Sequence, residues 1–206
     1  MSTQTRFREV YRSADAYEQL LLPHFFDART DEEVVTDIIA KQFGSEYHGK
    51  LRVAEFGCGT GRLTKHLEAY ARELVCADSS PSMIETIGGR FPAARALCLD
   101  TRAAVSQLCD EGRVGGFDLV TAFWSLNYPL GECFEQLTAD GITPVTDLAA
   151  ARRQANAFID ALVSLVATNG RLLVLMFDPD TAEQRLVTSL WEQVAPSPPG
   201  GRGYTR

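Results

Sequence analysis

Carboxylates placed around a cluster of glycines are the residues of this sequence best suited to chemistry. Gly57, Gly59 and Gly61 alternate through a predicted turn, and Glu55 stands two residues before the first glycine. Glycine allows positive φ angles and lets a ligand lie directly against the backbone. Asp78 lies 21 positions after Gly57, close to the offset of about 20 residues at which an acidic side chain binds ribose hydroxyls. This spacing predicts a site for a ligand that contains a ribose.

Alternating strands and helices must position these groups. Apolar runs predict five buried strands, over residues 51–56, 73–78, 96–100, 117–124 and 171–177. Helical spacing predicts helices over residues 6–26, 32–43, 62–67, from 83 onwards, 101–109, 147–168 and 180–195. The connection over 129–146 is predicted to be irregular, because Gly131, Gly141 and Pro144 interrupt it. A connection of this length in a compact domain is usually functional.

The order of these elements predicts the fold class. Alternating buried strands and helices predict an α/β fold, with a doubly wound, mostly parallel sheet and helices on both faces. In such folds a ligand binds at the carboxyl ends of the strands, where the strand order reverses. The glycines, Asp78, Asp100 and residues 124–128 each follow the end of a predicted strand. The motif and the predicted topology therefore place all of them at one end of the sheet.

The stretch Glu55-Phe-Gly-Cys-Gly-Thr-Gly61 resembles motif I of class I S-adenosylmethionine-dependent methyltransferases. The order Asp78-Ser-Ser-Pro-Ser-Met-Ile is also similar to the family pattern, and the resemblance covers residues 45–180. It implies a Rossmann-like fold, S-adenosyl-L-methionine as cofactor, S-adenosyl-L-homocysteine as product and methyl transfer to a small molecule. A dinucleotide fingerprint would instead need glycine where Arg62 stands.

The resemblance also implies roles for individual residues. Glu55 is expected to hold the methionine end of the cofactor, and Asp78 to bind the ribose hydroxyls. Asp100 or its neighbour is expected to meet the adenine amino group, although Asp100 could simply cap the helix over 101–109. The expected cofactor-binding residues are Tyr17, Glu55, Gly57, Cys58, Gly59, Gly61, Asp78, Ser79, Met83, Asp100, Thr101 and Phe123.

The resemblance places the methyl acceptor beyond the fourth strand, in a substrate segment over 125–146. The residues expected to contact the acceptor are Trp124, Asn127 and Tyr128, and the candidates for proton transfer are Tyr11, His24 and Tyr128. An aromatic face of Tyr11, Tyr17 or Trp124 could stabilise the sulfonium cation, or these side chains could belong to the core. The acceptor atom, which could be nitrogen, oxygen or carbon, stays open. No metal is expected, because no cluster of metal ligands is found.

Composition restricts the partners. The net charge of −7 and the pI near 5.0 argue against nucleic acid, whose phosphates bind basic surfaces. The longest apolar run, residues 172–177, is too short to cross a membrane. The five cysteines are odd in number and scattered, which predicts reduced thiols in a cytoplasmic protein. A small-molecule acceptor from secondary metabolism fits these observations best.

Two functions of other classes are also compatible with this kind of fold. One is a non-catalytic, methyltransferase-like subunit that binds a partner protein, and the complete glycine motif argues against it. The other is a different reaction on a nucleotide-cofactor fold, such as hydride transfer with NAD. The spacing of the glycines argues against that reaction.

The predicted organisation is a single domain over 1–206. It consists of cover helices over 1–45, a cofactor-binding core over 46–180 and a C-terminal helix and tail over 181–206. The family's sheet normally ends in an antiparallel pair of strands, which the proline- and glycine-rich tail after residue 195 is not suited to form. The fifth strand is therefore expected to leave an open edge. We expect either a chain truncated at its C-terminus, which the residues of the tail slightly favour, or a second copy or another partner that covers this edge, a second copy giving a homodimer.

Overall fold

The structure is a computed structural model that describes residues 13–20, 25–26, 28–138 and 141–176. Its helices are α1 (Ala14–Leu20), α2 (Asp31–Phe43), α3 (Thr64–Glu68), α4 (Pro81–Arg90), α5 (Thr101–Asp110), α6 (Asn127–Phe134) and α7 (Leu148–Ser164). Its strands are β1 (Phe25–Phe26), β2 (Arg29–Thr30), β3 (Leu51–Phe56), β4 (Ala71–Asp78), β5 (Arg95–Cys98), β6 (Phe117–Phe123), β7 (Glu135–Thr138), β8 (Gly141–Pro144) and β9 (Val166–Leu175).

The central sheet confirms the predicted fold class. Its five strands follow the order β5-β4-β3-β6-β9, and every neighbouring pair is parallel. The strand order reverses between β3 and β6, so this pair forms the switch point at which such sheets bind ligands. Glu55 on β3 stands opposite Thr121 on β6 and Cys76 on β4. The predicted motif thus lies beside the centre of the sheet.

Helices cover both faces of this sheet, as predicted. On one face, α5 and α7 pack against the strands through a cluster that includes Ala104, Val105, Leu108, Phe158 and Leu162. On the other face, α2, α3 and α4 contribute Val35, Ile39, Phe43, Leu67 and Ile87 to a second cluster. Burial of apolar surface on both faces is the main force that holds a parallel sheet together. None of the helices in the described part of the chain is long and apolar enough to cross a membrane.

Three local predictions were wrong. The connection over 129–146 contains α6 and an antiparallel hairpin of β7 and β8. Pro129 does not break α6 because it lies in the first turn, where its missing N–H would have no helical partner. The helix predicted over 147–168 ends earlier, at Ser164, and the pair Asn169-Gly170, which was expected to follow its end, lies in a bulge of β9. The segment predicted as one helix over 6–26 ends in β1, which pairs with β2.

Some predictions concern residues outside the described ranges. Tyr11, His24, the helix predicted over 180–195 and the tail that follows it belong to this group. Within the described residues, β9 pairs with β6 along one side. The prediction that a second copy covers its other side therefore stays a prediction.

Candidate functional site

The glycine loop between β3 and α3 has the conformation that its sequence predicts. Gly57, Gly59 and Gly61 have φ angles of +72°, +54° and +87°, which side-chain-bearing residues rarely adopt. A β-carbon at Gly57 would lie 2.2 Å from Cβ of Ser125. Among the described residues, a β-carbon at Gly59 would meet only the ring of Tyr17 on α1, at 3.9 Å. In the described part of the chain, Gly59 therefore faces open space with an aromatic ring at its border.

Asp78 ends β4 beside this loop and binds its backbone. One carboxylate oxygen accepts a hydrogen bond from the N–H of Gly59 at 2.9 Å, and the other accepts one from Ser80 at 2.9 Å. Burial raises the pKa of Asp78, and these backbone N–H groups oppose the rise. The carboxylate is held in place from both sides, and each oxygen has a further lone pair with which to accept a bond.

Glu55 lies beneath the loop. Its side chain is only 2% exposed, and the hydroxyl of Thr64 donates a hydrogen bond to its Oε2 at 2.5 Å. Burial raises the pKa of Glu55 to about 8, and the nearby charge of Asp78 adds to the rise. The carboxyl group is therefore protonated in the folded protein at neutral pH.

Other predicted cofactor residues differ in what they present to the crevice. The thiol of Cys58 is buried beside Cys76, and this contact and burial raise its pKa well above its usual value. Met83 and Phe123 are buried, whereas Ser79 is exposed at the carboxyl end of β4. At Cys58 the backbone, and not the buried thiol, is therefore suited to ligand contact.

Asp100 is the N-cap of α5. Its Oδ1 accepts a hydrogen bond from the N–H of Ala103 at 2.9 Å, and Thr101 is the first residue of that helix. The capping role that the sequence left open is therefore present. Asp100 is exposed at the carboxyl end of β5. A role in ligand binding remains a prediction.

The exit of β6 lies directly beside the glycine loop. Trp124 has a φ of +57°, and its N–H donates a hydrogen bond to the carbonyl of Leu175 on β9 at 2.9 Å. The hydroxyl of Ser125 donates one to the carbonyl of Phe56 at 2.7 Å. Asn127 and Tyr128 begin α6 and are exposed. The three residues that the sequence predicts to contact the methyl acceptor thus lie close together at the switch point.

Arg102 on α5 fixes the position of α6. Its guanidinium donates two hydrogen bonds to the carbonyl of Pro129, at 3.1 and 2.5 Å, and lies 5.4 Å from the ring centre of Phe158. A planar guanidinium with two bonds to one carbonyl restricts rotation of the segment. The segment that begins with Asn127 is therefore anchored to the helical layer beneath it.

Asp31 is a site residue that sequence reasoning missed. It is fully buried, and its two oxygens accept hydrogen bonds from Nη1 and Nη2 of Arg62 at 2.8 and 2.6 Å. Its Oδ2 also accepts one from the indole N–H of Trp124 at 2.8 Å. In sequence, an acid in the first turn of a helix indicates only a favourable charge beside the helix dipole. Its partners lie 31 and 93 positions away, so the sequence around Asp31 does not predict these contacts.

Comparison with known proteins gives one family match. The family described as "Methyltransferase domain" matches residues 54–172, which is more than half of the chain. The matched segment contains the glycine loop, Asp78 and the exit of β6. No curated protein matches the chain.

Several solved structures are similar in fold. The N-methyltransferase NodS from Bradyrhizobium japonicum WM9, in complex with S-adenosyl-l-homocysteine, has a TM-score of 0.50 at 19% identity, with 82% of this chain and 70% of that chain covered. The amino pentose methyltransferase CalS10 from Micromonospora echinaspora has a TM-score of 0.49 at 18% identity, with 77% and 59% covered. The sugar N-methyltransferase KedS8 from Streptoalloteichus sp ATCC 53650 has a TM-score of 0.48 at 20% identity, with 78% and 57% covered. The chain spans about three fifths of the length of the last two proteins.

Proposed function

Because the chain belongs to the methyltransferase domain family, we propose that it binds S-adenosyl-L-methionine and transfers its methyl group to a small molecule. The acceptor atom would be nitrogen, oxygen or carbon, and the acceptor a compound of secondary metabolism. The single observation that best supports this proposal is the glycine loop at the switch point. There, a β-carbon on Gly59 would meet only Tyr17 among the described residues, and the carboxylate of Asp78 binds the N–H of Gly59.

The residues at this crevice fit the proposed cofactor. The space that the described residues leave over Gly59 would allow a ligand to lie against the backbone, which a β-carbon there would obstruct. Asp78 would accept bonds from the two ribose hydroxyls, and Glu55 would act on the methionine end from beneath the loop. Residues around Asp100 and Thr101 would meet the adenine. When bound, S-adenosyl-L-methionine supplies an electrophilic methyl group on a sulfonium cation.

The acceptor would bind beside the exit of β6. In this proposal Trp124, Asn127 and Tyr128 line the acceptor site, and the segment over 125–146 forms one of its walls. Tyr11, His24 or Tyr128 would accept a proton if the acceptor needs a base, whereas a neutral amine would need none. Transfer requires the acceptor atom, the methyl carbon and the sulfur in one line. The chain's task is therefore mainly to fix positions and exclude water.

The remaining predictions on organisation and partners belong to the same proposal. The chain would act as one domain, with cover helices over 1–45, a core over 46–180 and a C-terminal part over 181–206. A second copy would cover the outer side of β9. The acidic surface suits a small-molecule acceptor better than nucleic acid. The five cysteines form no disulfides, which suits the cytoplasm.

A titration with two ligands tests the cofactor. We expect S-adenosylhomocysteine to bind in a calorimeter and NADH to give no heat of binding. The variant Gly59→Val should lose the S-adenosylhomocysteine signal while its far-ultraviolet circular dichroism stays that of the parent. Binding of NADH alone would refute the proposal in favour of hydride transfer.

Methyl transfer itself needs a second assay. The protein is incubated with S-adenosylmethionine labelled in the methyl group and with extract of its source cells, separated into low-molecular-weight, protein and RNA fractions. We expect label in the low-molecular-weight fraction. Label in the protein or RNA fraction would refute the proposed acceptor class. Cofactor binding without transfer to any fraction would favour a non-catalytic subunit.

A further inference from the structure

The buried carboxylate of Asp31 connects the two sides of the site. It pairs with Arg62, which directly follows Gly61 in the glycine loop, and it also binds the indole of Trp124. Trp124 directly follows β6. The side chain of Asp31 thus binds both segments that follow the strands of the switch point, the glycine loop after β3 and Trp124 after β6.

Capping of α2 explains only part of the contacts of this carboxylate. The N-cap is Thr30, whose side chain accepts a hydrogen bond from the N–H of Glu33, while the carboxylate of Glu33 accepts one from the N–H of Thr30. This capping box already serves the start of the helix. Asp31 adds one bond to it, which its Oδ1 accepts from the N–H of Glu32 at 3.0 Å. Its two bonds from Arg62 and its bond from Trp124 serve no capping role.

Stability alone is also a weak explanation. Removing two charges from water has a large cost, and buried ion pairs can often be replaced by apolar groups without loss of stability. What the pair supplies is geometry, because a bidentate guanidinium–carboxylate contact fixes both distance and orientation. The indole bond adds a third fixed direction to the same carboxylate.

The conformation of Trp124 shows what is being fixed. A φ of +57° is rare for a bulky residue, so such a residue needs surrounding contacts to hold it. Its N–H is held by Leu175 and its indole by Asp31. Loss of the indole bond would therefore remove one of the two described hydrogen bonds that hold Trp124 in this conformation.

We propose that Asp31 is a positioning residue, which sets the glycine loop and the exit of β6 at a fixed distance from each other. The consequence for catalysis rests on the proposed function. In methyl transfer the loop would hold the methyl donor and the exit of β6 would face the acceptor. In-line transfer is sensitive to small errors in that distance. Asp31 touches neither reactant in this proposal and acts through Arg62 and Trp124.

The protein offers a matched control at the opposite end of the same two strands. Asp118 on β6 binds Arg52 on β3, through Nε at 3.1 Å and Nη2 at 2.8 Å. It also accepts a bond from the N–H of Arg52 at 2.9 Å. Asp31→Asn and Asp118→Asn therefore each remove one charge from a bidentate arginine pair. Only Asp31→Asn does so beside the glycine loop.

Tryptophan emission tests the positioning without any ligand. The chain has two tryptophans, so Trp191→Phe leaves Trp124 as the only reporter. In this background we expect Asp31→Asn to shift the emission to longer wavelength and to increase quenching by acrylamide. Asp118→Asn should change neither. An emission spectrum that is the same in Asp31→Asn and its parent would overturn the proposal.

Titration with S-adenosylhomocysteine tests the consequence. We expect Asp31→Asn to raise its Kd by about tenfold or more, because the loop loses a charged hydrogen-bond partner. Asp118→Asn should leave the Kd unchanged even if the melting temperature falls. Equal losses of affinity in the two variants would mean that Asp31 only stabilises the fold, which would also overturn the proposal.

Two outcomes need a second measurement: a variant that does not fold, and a parent protein that binds no ligand. If Asp31→Asn does not fold, Arg62→Lys replaces it, since lysine keeps the charge but cannot form the bidentate contact. Arg62→Lys should raise the Kd in the same direction, and an unchanged Kd would count against the proposal. A parent protein that binds no S-adenosylhomocysteine would refute the proposed function. The emission comparison would still decide whether Asp31 positions the strand exits.

Discussion

Replacing Glu55 with glutamine should change how the stability of the protein depends on pH. The carboxyl group is 2% exposed and accepts a hydrogen bond from Thr64. Burial raises its pKa from 4.5 in the unfolded chain to about 8 in the folded protein. Glutamine has nearly the same shape and can accept the same bond, but it has no charge to lose.

The sign of the effect follows from the proton count. Between pH 4.5 and about 8, the folded protein holds a proton on Glu55 that the unfolded chain has released. The contribution of Glu55 to stability is therefore complete below pH 4.5 and is lost as the pH rises through about 8. One pH unit corresponds to about 1.4 kcal/mol, so this group lowers the free energy of unfolding by about 3 kcal/mol at pH 7 and about 5 kcal/mol at pH 9.

Urea denaturation at a series of pH values measures this directly. From about pH 5 to about pH 9, the parent should lose stability relative to Glu55→Gln, and the variant should be the more stable protein at the alkaline end. Asp118→Asn is the control. Its partner Arg52 lowers the pKa of Asp118, so that group is ionised in both states over this range. Parallel curves for the parent and Glu55→Gln would refute the reasoning.

Three further predictions test the site. Asp78→Ala should weaken binding of S-adenosylhomocysteine by about 1.5–3 kcal/mol, because ribose hydroxyls lose a charged acceptor; an unchanged calorimetric Kd would exclude that role. Gly59→Val should abolish binding, whereas Gly89→Val in α4, whose β-carbon would meet no described atom within 4 Å, should bind normally; equal Kd values for the two would contradict a ligand site against the backbone of the loop. Asn127→Ala and Tyr128→Phe should each lower the rate of methyl transfer about tenfold and leave the Kd for S-adenosylhomocysteine unchanged. Transfer at the parent rate in both variants would mean that α6 does not contact the acceptor.

The central sheet could be predicted because its signals are local. The glycine loop needs backbone angles that other residues rarely adopt. The residue type and spacing of Gly57, Gly59 and Gly61 are therefore enough to predict the loop. Asp78 follows from its offset and from the apolar strand before it. The parallel topology follows from alternation alone. These are properties that a short window of sequence contains.

The errors have the opposite cause, because they depend on contacts between distant segments. The helix α6 was predicted as irregular chain, although Arg102 and the hairpin that follows anchor it in the fold. The pair Asn169-Gly170 has the composition of a helix end, yet pairing with β6 places it in a bulge of β9. Asp31 has the sequence signature of an ordinary helix start, and its role depends on partners from two other segments.

The contact between Gly57 and Ser125 has a consequence for protein engineering. Cβ of Ser125 occupies the volume that a side chain at position 57 would need, and Gly57 also has a φ of +72°, so position 57 has to stay glycine beside Ser125. Libraries that aim to change the acceptor should leave this pair intact. They should instead randomise the exposed start of α6 at Asn127 and Tyr128, where a new side chain can be introduced without disturbing the interlocked exits of β3 and β6.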